Sequence, residues 1–221
     1  MKIVIVETSA VSSVQLKSLI REIIPEAVVQ EIIDSSLIDE VVANTGVTPF
    51  VQQRLATYYR FAQDVGADII LNQCSSVDQV AYDEQKNINI PIVCIDKGMA
   101  LKAVHSGAKI GMVATVASTV EPSLNNLRRT AKIENKAVEV SPYLVDGAME
   151  LLIKTGDVKK HNEMVVATVE KAAAENDVVV LAQGSMDVLM PDLVHIQKPV
   201  YSSPRIGVEH LRRVAEANKL L

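Results

Sequence analysis

Ile69-Ile70-Leu71-Asn72-Gln73-Cys74-Ser75-Ser76-Val77 is the stretch that decides how this chain folds. A short apolar run ends in polar and small residues that open a helix, the signature of a buried strand running into a turn. Val178-Val179-Val180-Leu181-Ala182-Gln183-Gly184-Ser185-Met186 repeats the pattern in the second half. Strands that alternate with helices build βαβ units and parallel sheets. In such open sheets ligands bind at the carboxyl ends of the strands. Cys74 occupies that edge in the first stretch, where backbone N–H groups and a helix dipole favour the thiolate over the thiol. In the second stretch Gln183 follows the strand, and an amide does not titrate.

Working outward, strands are predicted over 2–6, 27–33, 68–72 and 91–95, with helices over 12–24, 48–65 and 76–86. Thr48 reads as an N-cap with Pro49 in the first helical position. A second round has helices over 96–106, 119–131 and 157–176, strands over 109–114, 136–140, 177–181 and 199–201, and a closing helix over 207–218. Pro122 falls in the first turn of the 119–131 helix. The stretches 35–48 and 141–149 read as loops. The order of elements in 1–95 is echoed in 107–200. The expected organisation is an N-terminal lobe of residues 1–97 plus 201–221 and a C-terminal lobe of residues 98–200.

The 221 residues are 48% hydrophobic but only 3% aromatic, so Val, Ile, Leu and Ala must fill the interior. That composition suits helices packed on parallel strands. A net charge of -5, with no basic stripe and no interleaved aromatics, argues against nucleic acid. No apolar run is long enough to span a bilayer, and the first strand is too short for a signal peptide. Two cysteines make no disulfide framework, which places the chain in the cytoplasm with reduced thiols. No HExxH, CxxC or GxGxxG pattern occurs, so neither a metal nor a dinucleotide is expected.

These motifs resemble the aspartate/glutamate racemase superfamily, which includes hydantoin racemases, maleate isomerases and arylmalonate decarboxylases. The resemblance covers essentially the whole chain. Cys74-Ser75-Ser76 resembles the family's first cysteine motif. Gly111-Met112-Val113-Ala114-Thr115 with Ser118, Thr119 and Pro122 resembles the segment that opens the second lobe, and Leu181–Met186 falls at the second cysteine motif. The resemblance implies two Rossmann-like α/β lobes with parallel sheets, related by a pseudo-two-fold axis, with the active site in the cleft between them. It also implies a small carboxylate substrate, no cofactor and a homodimer. This chain departs from the two-thiol pattern at Gln183, or at Ser185 if the register slips. The function expected is therefore a cofactor-independent isomerase or racemase-like enzyme that acts on a small carboxylic or hydroxy acid through one cysteine. A decarboxylase or lyase on the same scaffold, or a non-catalytic small-acid-binding protein, are the alternatives.

Each candidate residue has a second, purely structural reading. Cys74 is expected to be reactive rather than inert core, because its neighbours are polar. Cys94, inside Pro91-Ile92-Val93-Cys94-Ile95, reads as core. Thr115, Ser118 and Thr119 form a carboxylate-binding nest or simply cap the next helix. Glu7, Thr8 and Ser9 end the first strand and line the pocket in the family, or Thr8 and Ser9 cap a helix. Gln183 and Ser185 can donate hydrogen bonds to an enediolate, or form only a turn. Arg205 binds a carboxylate or is a surface arginine. His161 reads as part of a solvated helix face.

Overall fold

The computed structural model describes residues 1–221, which divide into two compact units: residues 1–98 with 204–221, and residues 99–203. The first unit holds β1 (Lys2–Glu7), β2 (Val28–Ile33), β3 (Ile69–Asn72) and β4 (Ile92–Cys94). All pairings are parallel, in the order β2-β1-β3-β4. Successive residues of a strand point to opposite faces, and here both faces are apolar. Ile3 and Ile5 of β1 pack with Leu16 and Ile20 of α1 (Ser13–Ile23) and with Val208 and Leu211 of α9 (Ser203–Ala217). Val4 and Val6 pack with Val41 of α2 (Ser36–Ala43), Leu55 and Tyr59 of α3 (Pro49–Asp64), and Val80 of α4 (Asp78–Glu84). A sheet covered on both sides explains why its strands read as unbroken apolar runs.

The pairing register sets the functional edge. Val6 lies opposite Asn72, and Asn72 opposite Cys94. Beyond the strands the ladder continues, with the Gln73 N–H donating to the Val6 carbonyl at 3.1 Å and the Ile95 N–H to the Asn72 carbonyl at 2.9 Å. Glu7, Cys74 and Asp96 are therefore delivered to one edge of one sheet.

The second unit repeats the strand order. β5 (Lys109–Ala114), β6 (Glu139–Leu144), β7 (Val178–Leu181) and β8 (Val200–Tyr201) pair in parallel as β6-β5-β7-β8. Val113, Val179 and Leu181 pack with Val165, Val169 and Ala172 of α8 (Val158–Glu175). α6 (Ala117–Ile133) packs on β5 and β6. α5 (Lys97–Ser106) and α7 (Ala148–Thr155) complete the helices.

The structure departs from the sequence reading in five places. α2 and α7 form in stretches read as loops. Each is eight residues, about two turns, too short for periodicity to stand out, although Leu37 and Val41 are fully buried on one face of α2. α7 is bracketed by Gly147 and Gly156, both with positive φ. β6 begins three residues later than expected and contains Pro142, tolerated because an edge strand bonds on one side only. α6 begins at Ala117, so Pro122 lies in its second turn rather than its first. The expected helix over 76–86 is a 3₁₀ turn, Ser75–Val77, followed by α4 and a second 3₁₀ turn.

Two glycines mark where backbones touch inside the first unit. A Cβ on Gly207 would lie 2.1 Å from the Ile95 carbonyl oxygen, and one on Gly98 would lie 2.6 Å from the Ile206 carbonyl oxygen. Neither neighbour is a flexible side chain, so a methyl there forces the backbones apart. Gly207→Ala is expected to destabilise the protein by about 1–3 kcal/mol, the usual cost of overpacking. A fall in the urea unfolding midpoint at unchanged slope checks it; an unchanged midpoint would show that the contact is slack.

Candidate active site

The edge of the first unit gathers Glu7, Thr8, Cys74, Ser75 and Ser76. Cys74 precedes the Ser75–Val77 turn in an extended conformation, with φ -105° and ψ 115°. This aims the following N–H groups back at the sulfur. The thiol receives hydrogen bonds from the Thr8 hydroxyl, from the backbone and side chain of Ser76, and from the Val77 backbone. These donors favour the thiolate. Burial opposes them and is the larger effect, so it pushes the Cys74 thiol above the usual thiol range. That direction runs against the expected preformed thiolate, although Cys74 itself is only half-buried and four donors reach its sulfur.

Thr8 is buried at the sulfur, while Ser9 caps the short 3₁₀ turn Ala10–Ser12 by accepting from the Val11 N–H at 3.3 Å. Glu7 is fully buried. Its Oε2 accepts from the Ser13 hydroxyl at 2.8 Å, and its Oε1 has no partner outside the contact with the Glu31 carboxyl. Burial raises the Glu7 carboxyl to about 7, with the neighbouring Glu31 carboxyl adding to the rise. Ser13 and Lys17 pull the other way. Lys17 is bound to Glu31 at 2.8 Å.

The sequence reading missed the polar layer beneath Cys74. Asn72 has no solvent exposure. It accepts from the Tyr59 hydroxyl at 2.9 Å and donates to the Asp78 carboxyl at 2.8 Å and to the Cys74 carbonyl at 3.2 Å. Asp78 and Asp96 are each 2% exposed. No local pattern marks Asp78, which sits in an ordinary amphipathic helix. Asp96 did carry a signal, since like Cys74 it follows an apolar strand at the same edge. Cys94 is buried as expected, but it also bonds to Asp78 and so belongs to this layer.

In the second unit, Gln183 and Thr115 close on each other. The Thr115 N–H donates to Gln183 Oε1 at 2.8 Å, and Gln183 Nε2 donates to Thr115 Oγ1 at 2.9 Å. This pair of hydrogen bonds ties the end of β5 to the end of β7. α6 has no side-chain N-cap, Ser118 carries a buried hydroxyl without a partner, and Thr119 is 4% exposed. Ser185 is exposed. Both cysteines lie in the first unit, so the second contains no thiol.

Other residues fall elsewhere. Arg205 binds a carboxylate within its own unit, both its terminal nitrogens meeting Glu22 at 2.8 and 2.9 Å on the surface. His161 does not face solvent: it is 9% exposed, with Nδ1 3.0 Å from Asn162 Oδ1 and no partner at Nε2. A groove of about 660 Å³ runs along α8 past Val158, Asn162 and Val166, and none of the strand-end residues lines it.

Glu7 gives the site a pH signature. Its folded value of about 7 exceeds its ordinary value of 4.5. Stability is therefore fully present below the ordinary value and is lost as pH rises through 7, by about 3 kcal/mol at most. Glu7→Gln keeps the shape and removes the titration. Its melting temperature relative to the native protein is expected to climb between pH 5 and pH 8. A difference independent of pH would show that Glu7 is ionised throughout that range.

The Asp/Glu/hydantoin racemase family profile matches residues 3–211. No curated protein sequence matches. Among solved structures, glutamate racemase from Bacillus anthracis is 14% identical, with TM-score 0.74 over 98% of this chain and 82% of that one. An aspartate racemase homologue from Pyrococcus horikoshii is 17% identical, with TM-score 0.69 over 97% and 99%. Allantoin racemase from Klebsiella pneumoniae is 14% identical, with TM-score 0.69 over 99% and 89%. At such identities these likenesses show a shared fold. The profile spans nearly the whole sequence, and on that ground the chain belongs to the Asp/Glu/hydantoin racemase family.

Proposed function

We propose that this racemase-family enzyme works with one thiol, Cys74, and no cofactor, on a small carboxylic or hydroxy acid. The observation that carries the reading is the set of donors converging on the Cys74 sulfur at the carboxyl edge of a parallel sheet. An inert core cysteine needs none of them. Thr8, Ser75 and Ser76 are the substrate's nearest polar surroundings in this reading. The Thr115 hydroxyl, which keeps its hydrogen to donate while its oxygen accepts from Gln183, Ser118 and the uncapped N-terminus of α6 are the carboxylate-holding groups of the second unit. Thr119 and Ser185 are supporting contacts. Gln183 orders Thr115 and has one remaining amide hydrogen to offer a developing oxyanion.

In the forward step the Cys74 thiolate takes the proton from the carbon next to the carboxylate. An S–H bond forms, the C–H bond breaks, and its electron pair moves into the carboxylate to give an enediolate. Return of a proton from Cys74 restores the original configuration. Inversion needs a donor on the opposite face, and Gln183 cannot supply a proton. The expected behaviour is therefore exchange of the α-hydrogen with solvent and little racemisation. Because burial holds the Cys74 thiol above its usual range, exchange should still be rising with pH where an ordinary thiol has levelled off.

A second reading has an observation in its favour. A thiol that keeps its proton at neutral pH suits the protonation of an enediolate formed by loss of CO₂. Decarboxylation of a malonate-type acid uses the same groups in that direction.

Proton NMR in heavy water, with aspartate, glutamate, hydantoins, small hydroxy acids and a substituted malonate, separates these outcomes. Exchange without loss of optical purity, abolished in Cys74→Ala, is the expected result. Product from the malonate alone selects decarboxylation. Binding without either reaction would leave a small-acid-binding protein, and racemisation as fast as exchange would require a second base. Gln183→Cys places a thiol at the end of β7 and is expected to introduce racemisation of whichever acid undergoes exchange. Exchange with no racemisation in that variant would show that position 183 does not reach the substrate.

A further inference from the structure

Four polar side chains beneath Cys74 have no role in the chemistry above, yet all are buried. Tyr59 and Asn72 have no solvent exposure, and Asp78 and Asp96 have 2% each. Burying two carboxylates side by side is prohibitive, whereas an acid paired with a carboxylate is not. The bonding matches such a pair. Asp78 Oδ1 is bonded to Asn72, while Asp78 Oδ2 and Asp96 Oδ1 have no partner outside the contact between the two carboxyls. Asn72 then joins this pair to the catalytic turn. One amide nitrogen donates both to Asp78, the first residue of α4, and to the carbonyl of Cys74. The amide so closes the segment 72–78, which contains every backbone donor to the sulfur.

We infer that Asn72, Asp78 and Asp96 are positioning residues for Cys74: the hydrogen bond between the two carboxyls fixes Asp78, and Asn72 passes that fixed geometry to the Cys74 turn. The titratable groups facing Asp78 are Asp96 and Cys94 from β4 and its extension, Cys74 after β3 and Tyr59 from α3. Burial is the main reason Asp78 holds its proton, followed by the charge of Asp96; the Cys74 thiolate adds to the effect. When Cys74 ionises, Asp78 therefore grips its proton more firmly. The thiolate then forms above one buried negative charge, that of the carboxyl pair, rather than two. Tyr59, held well above its usual range by burial, stays a donor to Asn72 throughout.

The inference rests on the reading that Cys74 is the working thiol, but its test does not need the substrate. The pH profile of Cys74 alkylation by iodoacetamide is followed by peptide mapping, which separates it from buried Cys94. Asp78→Asn reproduces the shape and bonding of a protonated acid, and its alkylation midpoint is expected to match that of the native protein. A midpoint that falls by half a unit or more would mean that a charge had been removed, and would overturn the inference. Asn72→Ala releases the turn, so the donors to the sulfur lose their alignment. Its midpoint is expected to rise, slowing alkylation about threefold at a fixed pH below the midpoint. A folded Asn72→Ala protein with an unchanged midpoint would make Asn72 merely structural and would also overturn it. If Asn72→Ala does not fold, the infrared spectrum decides. The carbonyl stretch of a protonated carboxylic acid is expected in the native protein at pH 8 and absent from Asp78→Asn; a native spectrum without it overturns the inference. Loss of solvent exchange with every acid, alongside these alkylation results, would sink the proposed function and leave the positioning role standing.

Discussion

One buried amide ties together the end of β3, the Cys74 turn, α3 and the start of α4. Asn72 is the last residue of β3, and its backbone is already committed to the ladder. Its side chain is therefore left to organise the turn at the end of the strand. An amide carries two donors and an acceptor, so it can bridge groups that a hydroxyl or a carboxylate cannot. Here the acceptor takes Tyr59, and the donors serve Asp78 and the Cys74 carbonyl. An apolar residue would fill the space equally well. It would leave the Tyr59 hydroxyl and the Asp78 carboxyl buried without partners, at a cost of about 1–3 kcal/mol for each.

Two units with the same strand order handle the same position differently. After β3 the chain offers a thiol surrounded by donors. After β7 it offers an amide whose oxygen and nitrogen are both engaged by Thr115. The Thr115 N–H, which in a nest would be open to an anion, is occupied from within. The topology thus fixes where a functional group stands, and the local bonding fixes what it can do. The two together leave a thiol at that edge of the first unit and an amide at that edge of the second.

The architecture was legible because its signals are long. Val178-Val179-Val180-Leu181 and Lys109–Ala114 read as strands, and Thr48 with Pro49 read as a helix start. Thr48 does accept from the Val51 N–H, at 3.2 Å. α2 and α7 were missed because two turns give periodicity too little length. At the site, the position of Cys74 could be read from the end of an apolar run. Its ionisation could not, since that depends on how much burial the donors must offset, and burial is a property of the packed sheet. Asp78 shows the same limit. In sequence it is one more acidic residue on a helix; only the β3–β4 pairing, which sets Asn72 opposite Cys94 with Asp96 two residues beyond, reveals it as part of a buried pair. His161 failed for a related reason, because a single histidine says nothing about which face of α8 turns inward.

The buried acids and the thiol pull the protein's pH response in opposite directions. Glu7 and Asp78 both hold protons above their ordinary ranges, so each erodes stability as pH rises. Cys74 reacts only as its thiolate, and burial moves that form to higher pH. Raising the pH therefore increases the reactive fraction while weakening the scaffold that aligns it. The donors from Thr8, Ser76 and Val77 narrow this conflict, because each lowers the pH at which the thiolate forms without adding a charge beneath it. A cationic neighbour would lower it further, but beside Glu7 and the Asp78–Asp96 pair it would also draw protons off the carboxyls. Neutral donors ease thiolate formation without pulling on the protons that burial keeps on Asp78 and Glu7.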